Sequence, residues 1–376
     1  MYNIVSIIDL YGRGGAEKVY NNFSLFCKEN NINLFEFVLY QSERNNIPFF
    51  IKNNSNNVFI KIYHQIYAGI LLRNFCLNKK INRIVSFLDR SNIVSIISML
   101  LSKGKYKVTI TIHNPPTIQY KKLNFLLKNM TYFLLRVLYN LKNVKVVAVS
   151  SSVADSLANI KVKNVEIIYN PVLLNEEDIP SENMDYKFIL AIGRLEYQKA
   201  YWKLIKAFAI YKKKKRDNLH LIVLGSGKES ENLVKLSIDL GVSDCVHFNG
   251  YVINPSNYLK KMEFIVFSSI FEGFPISLIE SFLLCKPFIG SKESIPKEIV
   301  DVLGEKYDLL TYSTTVINED YNSNCFDVDS EKLASLLLDI SENEKLREDV
   351  AQICNKWAID KCSIANYWSY IDGYKN

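Results

Sequence analysis

The 376-residue chain offers little for metal or disulfide chemistry, with only four histidines and seven cysteines. Cys27, Cys76, Cys245, Cys285, Cys325, Cys354 and Cys362 are scattered, no two of them at C-x-x-C spacing, and their number is odd. This argues against a disulfide framework and a structural zinc site, and for a reducing cytoplasm. Long apolar runs are missing as well. The most apolar stretch, residues 93–101, is far shorter than the ~20 residues a membrane span requires. The start, MYNIVSIIDLYGRGG, has no basic segment followed by a long apolar one, so no secretory leader is expected. Acidic residues are absent from 118–145, where lysine and arginine mix with Leu, Phe and Tyr.

What remains is ordinary globular material, 48% apolar and 23% charged, long enough for two domains with real cores. The net charge of +7 is unevenly spread. Residues 1–170 hold 22 Lys/Arg and 8 Asp/Glu, a net of +14; residues 171–376 hold 24 and 31, a net of −7. A basic first half attracts anionic partners. The acid-free stretch 118–145 reads either as a core-facing helix with a solvated basic face or as a basic amphipathic helix on an anionic membrane.

Apolar strand-like runs alternate with helical patterns. Strands are expected at 3–8, 33–39, 58–62, 83–87, 107–112, 145–149 and 165–168, with helices at 16–29, 66–77, 91–101, 121–140 and 151–159. Residues 170–186, with two prolines and five acids, break the pattern. It restarts with strands at 187–192, 220–224, 245–249, 264–267 and 288–290 and helices at 201–215 and 228–240; residues 341–374 read as helical. Such alternation implies parallel sheets wrapped by helices. Sheets of this kind bind ligands at the carboxyl ends of their strands.

Several stretches could carry chemistry. In FIVFSSIFEGFPISLIESF a strand runs through a loop into a helix opening near Pro275, so backbone N–H groups and a dipole end face one spot. Glu272 and Glu280 frame it. On residue type alone they read equally as a solvated loop charge and a helix acid. In GRLEYQKAYW, Arg194 and Lys199 could neutralise a diphosphate or could be solvated surface cations. LGSGKES, FNGY with Gly250, and GRGGAEK with Gly14 and Gly15 are glycine turns that let a backbone approach a ligand. His113 leaves a strand at its carboxyl end, where it faces a ligand or satisfies loop carbonyls.

Taken together and in this order, EGFPISLIE, the Gly-Arg…Gln-Lys stretch at 193–199, the Gly-x-Gly turn at 225–227, Thr-Ile-His-Asn at 111–114 and Gly-Gly-Ala-Glu at 14–17 resemble family 4 retaining glycosyltransferases. Ala200 and Cys285 stand where that family usually has glycine. The resemblance implies the GT-B fold, two Rossmann-like doubly wound parallel-sheet domains facing across a cleft. It places an acceptor-binding domain at 1–170, a linker at 171–186, a nucleotide-sugar domain at 187–356 and a terminal helix at 357–376 that returns to the first domain. It implies that Arg194 and Lys199 bind the donor diphosphate and that Glu280 binds the ribose hydroxyls. Glu272 and the backbone of Gly273, Phe274, Pro275 and Ile276 would hold the sugar. Gly193, Gly250, Gly14 and Gly15 would line the donor site, and His113 would hydrogen-bond a sugar hydroxyl.

No metal or other cofactor is expected beyond the nucleotide-sugar co-substrate. The implied partners are a saccharide or lipid-linked saccharide acceptor and an anionic membrane surface; the implied setting is the cytoplasm, in bacterial surface-polysaccharide synthesis. Two rivals use the same features. A UDP-sugar 2-epimerase shares the two-domain shell, but the Glu pair and His113 favour transfer. A nucleic-acid binder would use the basic half, but the acidic second half and the lack of a nucleic-acid module weigh against it.

Overall fold

The computed structural model describes residues 2–9, 14–40, 48–51, 57–121, 123–174, 185–315 and 318–371. Two compact units emerge: Met1–Pro171 together with Ile364–Asn376, and Val172–Ser363. Most of the expected linker, and Gly12 and Arg13 of GRGGAEK, lie outside the described residues.

In the first unit the order is β1 (Asn3–Ile8), α1 (Gly15–Glu29), β2 (Asn33–Tyr40), β3 (Phe49–Ile51), α2 (Val58–Asn78), β4 (Arg83–Phe87), α3 (Asp89–Leu101), β5 (Lys107–Ile112), α4 (Pro116–Gln119), α5 (Phe125–Tyr139), β6 (Val144–Ala148), α6 (Ser151–Asn159) and β7 (Val165–Ile167). The seven strands are parallel, in the order β3-β2-β1-β4-β5-β6-β7. Their central runs are covered on both faces, which is why NIVSII and KVTITI read as near-continuous apolar stretches.

The expected strand at 58–62 is wrong. VFIKI, with its β-branched residues and its lysine, opens α2 instead. That 21-residue helix packs on α3, and Gly69 brings it so close to Ile97 that a Cβ there would sit 2.7 Å from the isoleucine side chain. Tertiary packing overrides a weak local preference here.

The second unit runs β8 (Lys187–Ile192), a 3₁₀ turn (Tyr197–Lys199), α7 (Tyr201–Lys214), β9 (Leu219–Leu224), α8 (Ser230–Asp239), β10 (Val246–Phe248), α9 (Ser256–Lys261), β11 (Ile265–Phe267), α10 (Ile276–Leu283), β12 (Phe288–Ser291), α11 (Glu298–Leu303), β13 (Thr311–Tyr312), α12 (Val328–Glu342) and α13 (Glu344–Lys361). Its six strands are parallel in the order β10-β9-β8-β11-β12-β13. Under α7 two ammonium groups are fully buried and answered: Lys203 by Asp329 at 2.8 Å and Lys206 by Asp320 at 2.7 Å.

The C-terminal stretch is not one helix. It breaks after Lys361, and α14 (Trp368–Ile371) belongs to the first unit. There Tyr367 donates to the Val19 carbonyl at 2.7 Å, Thr109 donates to the Tyr370 carbonyl at 2.7 Å, and Trp368 meets Phe26 edge-on at 5.0 Å.

Candidate active site

The site in the second unit is built where β8, β9 and β11 end. One residue beyond β8 stands Gly193, and one beyond β9 stands Gly225. Gly193 donates to the Leu224 carbonyl at 3.0 Å and Gly225 to the Gly250 carbonyl at 2.7 Å. A Cβ on Gly225 would stand 1.9 Å from the Gly193 carbonyl oxygen, so this approach requires glycine. The three glycines thus form one stretch of bare backbone at the carboxyl edge of the sheet.

Beside it lies the pair at the centre of the site. Lys199 ends the 3₁₀ turn, and its Nζ is 2.7 Å from Glu272 Oε1. Both side chains are largely covered, 17% and 11% exposed. The Ser269 hydroxyl donates to the same Oε1 at 2.7 Å. Main chain fixes both partners: Ser268 donates to the Lys199 carbonyl at 2.8 Å, Ile270 N–H to the Gln198 carbonyl at 2.8 Å, and Glu272 N–H to the Glu293 carbonyl at 3.0 Å. Loop 268–275 is therefore clamped between the turn at 198–199 and the end of β12.

From this loop the chain enters α10. Pro275 is the N-cap rather than the first helical residue, and Gly273, Phe274, Pro275 and Ile276 are all buried. Glu280 lies inside the same helix, 5% exposed.

Other residues nearby make separate contacts. Arg194 is 63% exposed and pairs with Glu196 at 3.3 Å. Lys292 turns to Asp308 at 2.6 Å, and the Glu293 carboxylate accepts from Thr314 N–H at 2.9 Å. The two departures from family glycine are both strained: Ala200 has φ +48 and Cys285 φ +53, the left-handed region in which a Cβ is disfavoured.

His113, Gly14 and Gly15 belong to the first unit. Gly14 caps α1 and Gly15 opens it; the Glu17 carboxylate folds back against Gly14, 2.6 Å from where its Cβ would be. His113 follows β5, and burial pushes its pKa down to about 4. Its Nε2 is 2.9 Å from Thr111 Oγ1, and that hydroxyl gives its only proton to the Ser86 carbonyl at 2.9 Å. Nε2 is therefore the donor, which leaves Nδ1 of a neutral ring free to accept.

Sequence reasoning did not single out Ser269, Tyr201, Asp9 or Asp89. Asp9 follows β1 and Asp89 opens α3 two residues beyond β4, the strand adjacent to β1. Burial raises Asp9 to about 6, against the N–H of Ser91 at 2.6 Å; burial also raises Asp89, which accepts from Gln119 at 2.5 Å. Their signal was position: acids directly after strands in a basic half.

Residues 175–357, nearly all of the second unit, match the family model described as glycosyl transferases group 1. The second unit belongs to that family, and the chain is a glycosyltransferase. A relative from Campylobacter jejuni, N-acetylgalactosamine-N,N'-diacetylbacillosaminyl-diphospho-undecaprenol 4-alpha-N-acetylgalactosaminyltransferase, is 29% identical over 72% of this chain and 75% of its own. A second from the same organism, GalNAc-alpha-(1->4)-GalNAc-alpha-(1->3)-diNAcBac-PP-undecaprenol alpha-1,4-N-acetyl-D-galactosaminyltransferase, is 27% identical over 76% and 79%. Among solved structures, Anabaena HepE in complex with UDP-glucose superposes with a TM-score of 0.76, covering 99% of this chain and 98% of that one at 14% identity. The fold is GT-B.

Proposed function

We propose that this glycosyltransferase moves a hexose or N-acetylhexosamine from a nucleotide-diphosphate sugar, a UDP-sugar, to a lipid-linked saccharide with retention at the anomeric carbon. It would work in bacterial surface-polysaccharide synthesis, capsule or O-antigen, on the cytoplasmic face of the membrane. The observation that carries the reading is the Lys199–Glu272 pair, held beside bare glycine backbone and the N-terminus of α10. The printed names of the two Campylobacter relatives support the lipid-linked acceptor, and the UDP-glucose complex of HepE supports the donor.

In this reading the donor's diphosphate takes Lys199 as its counter-charge. Arg194, exposed and held only by a surface pair worth little, turns inward to join it. Main-chain N–H groups of Gly250 and the loop before α10, beside the bare backbone of Gly193, complete the anion site. The Glu272 carboxylate, freed from the ammonium, accepts from a sugar hydroxyl, and Glu280 accepts from the ribose hydroxyls. In the first unit, Gly14 and Gly15 offer backbone at the opening of α1, and neutral His113 accepts a sugar hydroxyl at Nδ1. The anomeric C–O bond to the diphosphate breaks, and the acceptor oxygen bonds to the same carbon on the same face. The acceptor's proton passes to the leaving phosphate oxygen. Guanidinium, ammonium and helix dipole supply the positive charge, so transfer is expected to proceed without a divalent cation.

Membrane attachment rests on α5. Phe125 and Phe133 are 77% and 67% exposed, and Leu126, Leu127, Met130, Leu134 and Val137 are exposed with them. Only Leu135 and Tyr139 are buried, while Lys128 and Arg136 lie on the helix and Lys121 and Lys142 flank it. Among the described residues no helix is long and apolar enough to cross a membrane. A bare apolar face ringed by cations suits the surface of an anionic bilayer.

The test is transfer from a panel of UDP- and GDP-sugars to a polyprenyl-diphosphate-linked saccharide, with and without EDTA. Glu272→Ala and Lys199→Ala are each expected to lose at least ~100-fold in turnover while remaining folded. Normal turnover in either folded variant contradicts the assignment.

A further inference from the structure

One polar atom beside the Lys199–Glu272 pair has no partner among the described residues. Tyr201 is 3% exposed, and its hydroxyl makes no hydrogen bond. Leaving a buried hydroxyl unanswered is costly, and folded proteins rarely do so without a reason. The direction in which it points supplies one. The position that a Cβ on Gly193 would occupy lies 3.0 Å from the Tyr201 hydroxyl, 3.0 Å from Lys199 Nζ and 2.6 Å from Lys199 Cε. Hydroxyl and ammonium thus converge on the side of Gly193 that the missing side chain leaves clear. Burial, and after it the Glu272 carboxylate, oppose ionisation of the phenol, so the group stays a protonated donor. The carboxylate itself is already occupied by Lys199 and Ser269.

We infer that Tyr201 is a further donor-binding residue, whose hydroxyl donates a hydrogen bond to a phosphoryl oxygen of the nucleoside diphosphate alongside Lys199. This rests on the reading of Lys199 as the diphosphate's counter-charge and adds a group to it. A phosphoryl oxygen brought to Lys199 from the Gly193 side meets the phenol as well, and the ligand satisfies the hydroxyl that the protein leaves unpaired. A charge-assisted hydrogen bond of this kind is a strong one.

The test is calorimetric titration of UDP and of GDP into the full-length protein and Tyr201→Phe, with the melting temperature of each ligand-free protein. The wild type is expected to bind one of the two, and Tyr201→Phe to bind it about tenfold or more weakly. The ligand-free variant should melt no lower than the wild type, because it loses a hydroxyl that had no partner. Equal affinities overturn the role of Tyr201 and leave the diphosphate site standing. A variant that melts several degrees lower, or does not fold, overturns it too, since the hydroxyl would then be holding the protein together. A wild type that binds neither nucleotide removes the diphosphate site itself and Tyr201 with it.

Discussion

Helices α5 and α10 are both rich in Leu, Ile and Phe, yet their fates are opposite. In α10, Ile276, Leu278, Ile279, Glu280, Ser281 and Phe282 are all buried. In the fifteen-residue α5 only Leu135 and Tyr139 are. The difference lies in what each helix does for its unit. Helix α10 connects β11 to β12 and aims its N-terminus at the loop holding Glu272, so its placement must be rigid. Leu278 and Phe282, both fully buried, hold the helix in place behind the hydrogen-bonded loop. Helix α5 connects β5 to β6, and most of its apolar surface faces outward, an arrangement that is expensive in water and natural against lipid.

The contrast can be broken first by truncation. Leu278→Ala removes a fully buried side chain and should cost about 2–5 kcal/mol in urea unfolding. Phe133→Ala in α5 should change stability by no more than ~0.5 kcal/mol. A similar loss at both sites would mean that α5 is packed after all. The second prediction gives α5 its role. Phe125→Ser combined with Phe133→Ser should weaken sedimentation with phosphatidylglycerol vesicles by roughly 2–3 kcal/mol, with the melting temperature unchanged. Unaltered vesicle binding would leave the exposed face without this partner.

A third prediction sets two buried groups of the first unit against each other by pH. The fold holds His113 at about 4, below its ordinary value, so its contribution to stability is complete above ~6.5 and is lost as pH falls toward 4. Asp9 is raised to about 6, so its contribution is complete below ~4 and is lost as pH rises toward 6. The two slopes oppose each other across pH 4–6.5. His113→Asn and Asp9→Asn should therefore tilt the stability profile in opposite directions, each by on the order of 1–2 kcal/mol over the window. A small gain is expected at Ala200. Ala200→Gly should stabilise by roughly 0.5–1 kcal/mol, since glycine relieves the positive φ and loses part of the gain to chain entropy.

Much of this architecture is legible in the sequence because parallel strands buried on both faces write themselves as unbroken apolar runs. KFILAI and LHLIVL announce β8 and β9 in that way. Strands of two or three residues, Phe49–Ile51 and Thr311–Tyr312, carry no such signal, and VFIKI mimicked a strand at a helix start. The site was legible as motifs but not as contacts. Nothing in the spacing joins Lys199 to Glu272, 73 positions on, because only the sheet order that sets β11 beside β8 brings them together. Tyr201 looked like one more aromatic in a helix, since an unpaired hydroxyl becomes visible only once its surroundings are built. Arg194 shows the reverse: its motif is clear, while its side chain rests outside on Glu196.

The central claim is that Lys199 and Glu272 exchange each other for the donor. It is tested most directly by the structure of the complex with the nucleotide sugar that the transfer assay selects. The account predicts the diphosphate within hydrogen-bond distance of Lys199 Nζ, a sugar hydroxyl on the Glu272 carboxylate, and the 2.7 Å ion pair between them broken or shared. A nucleotide sugar bound elsewhere, with that pair untouched, would contradict it.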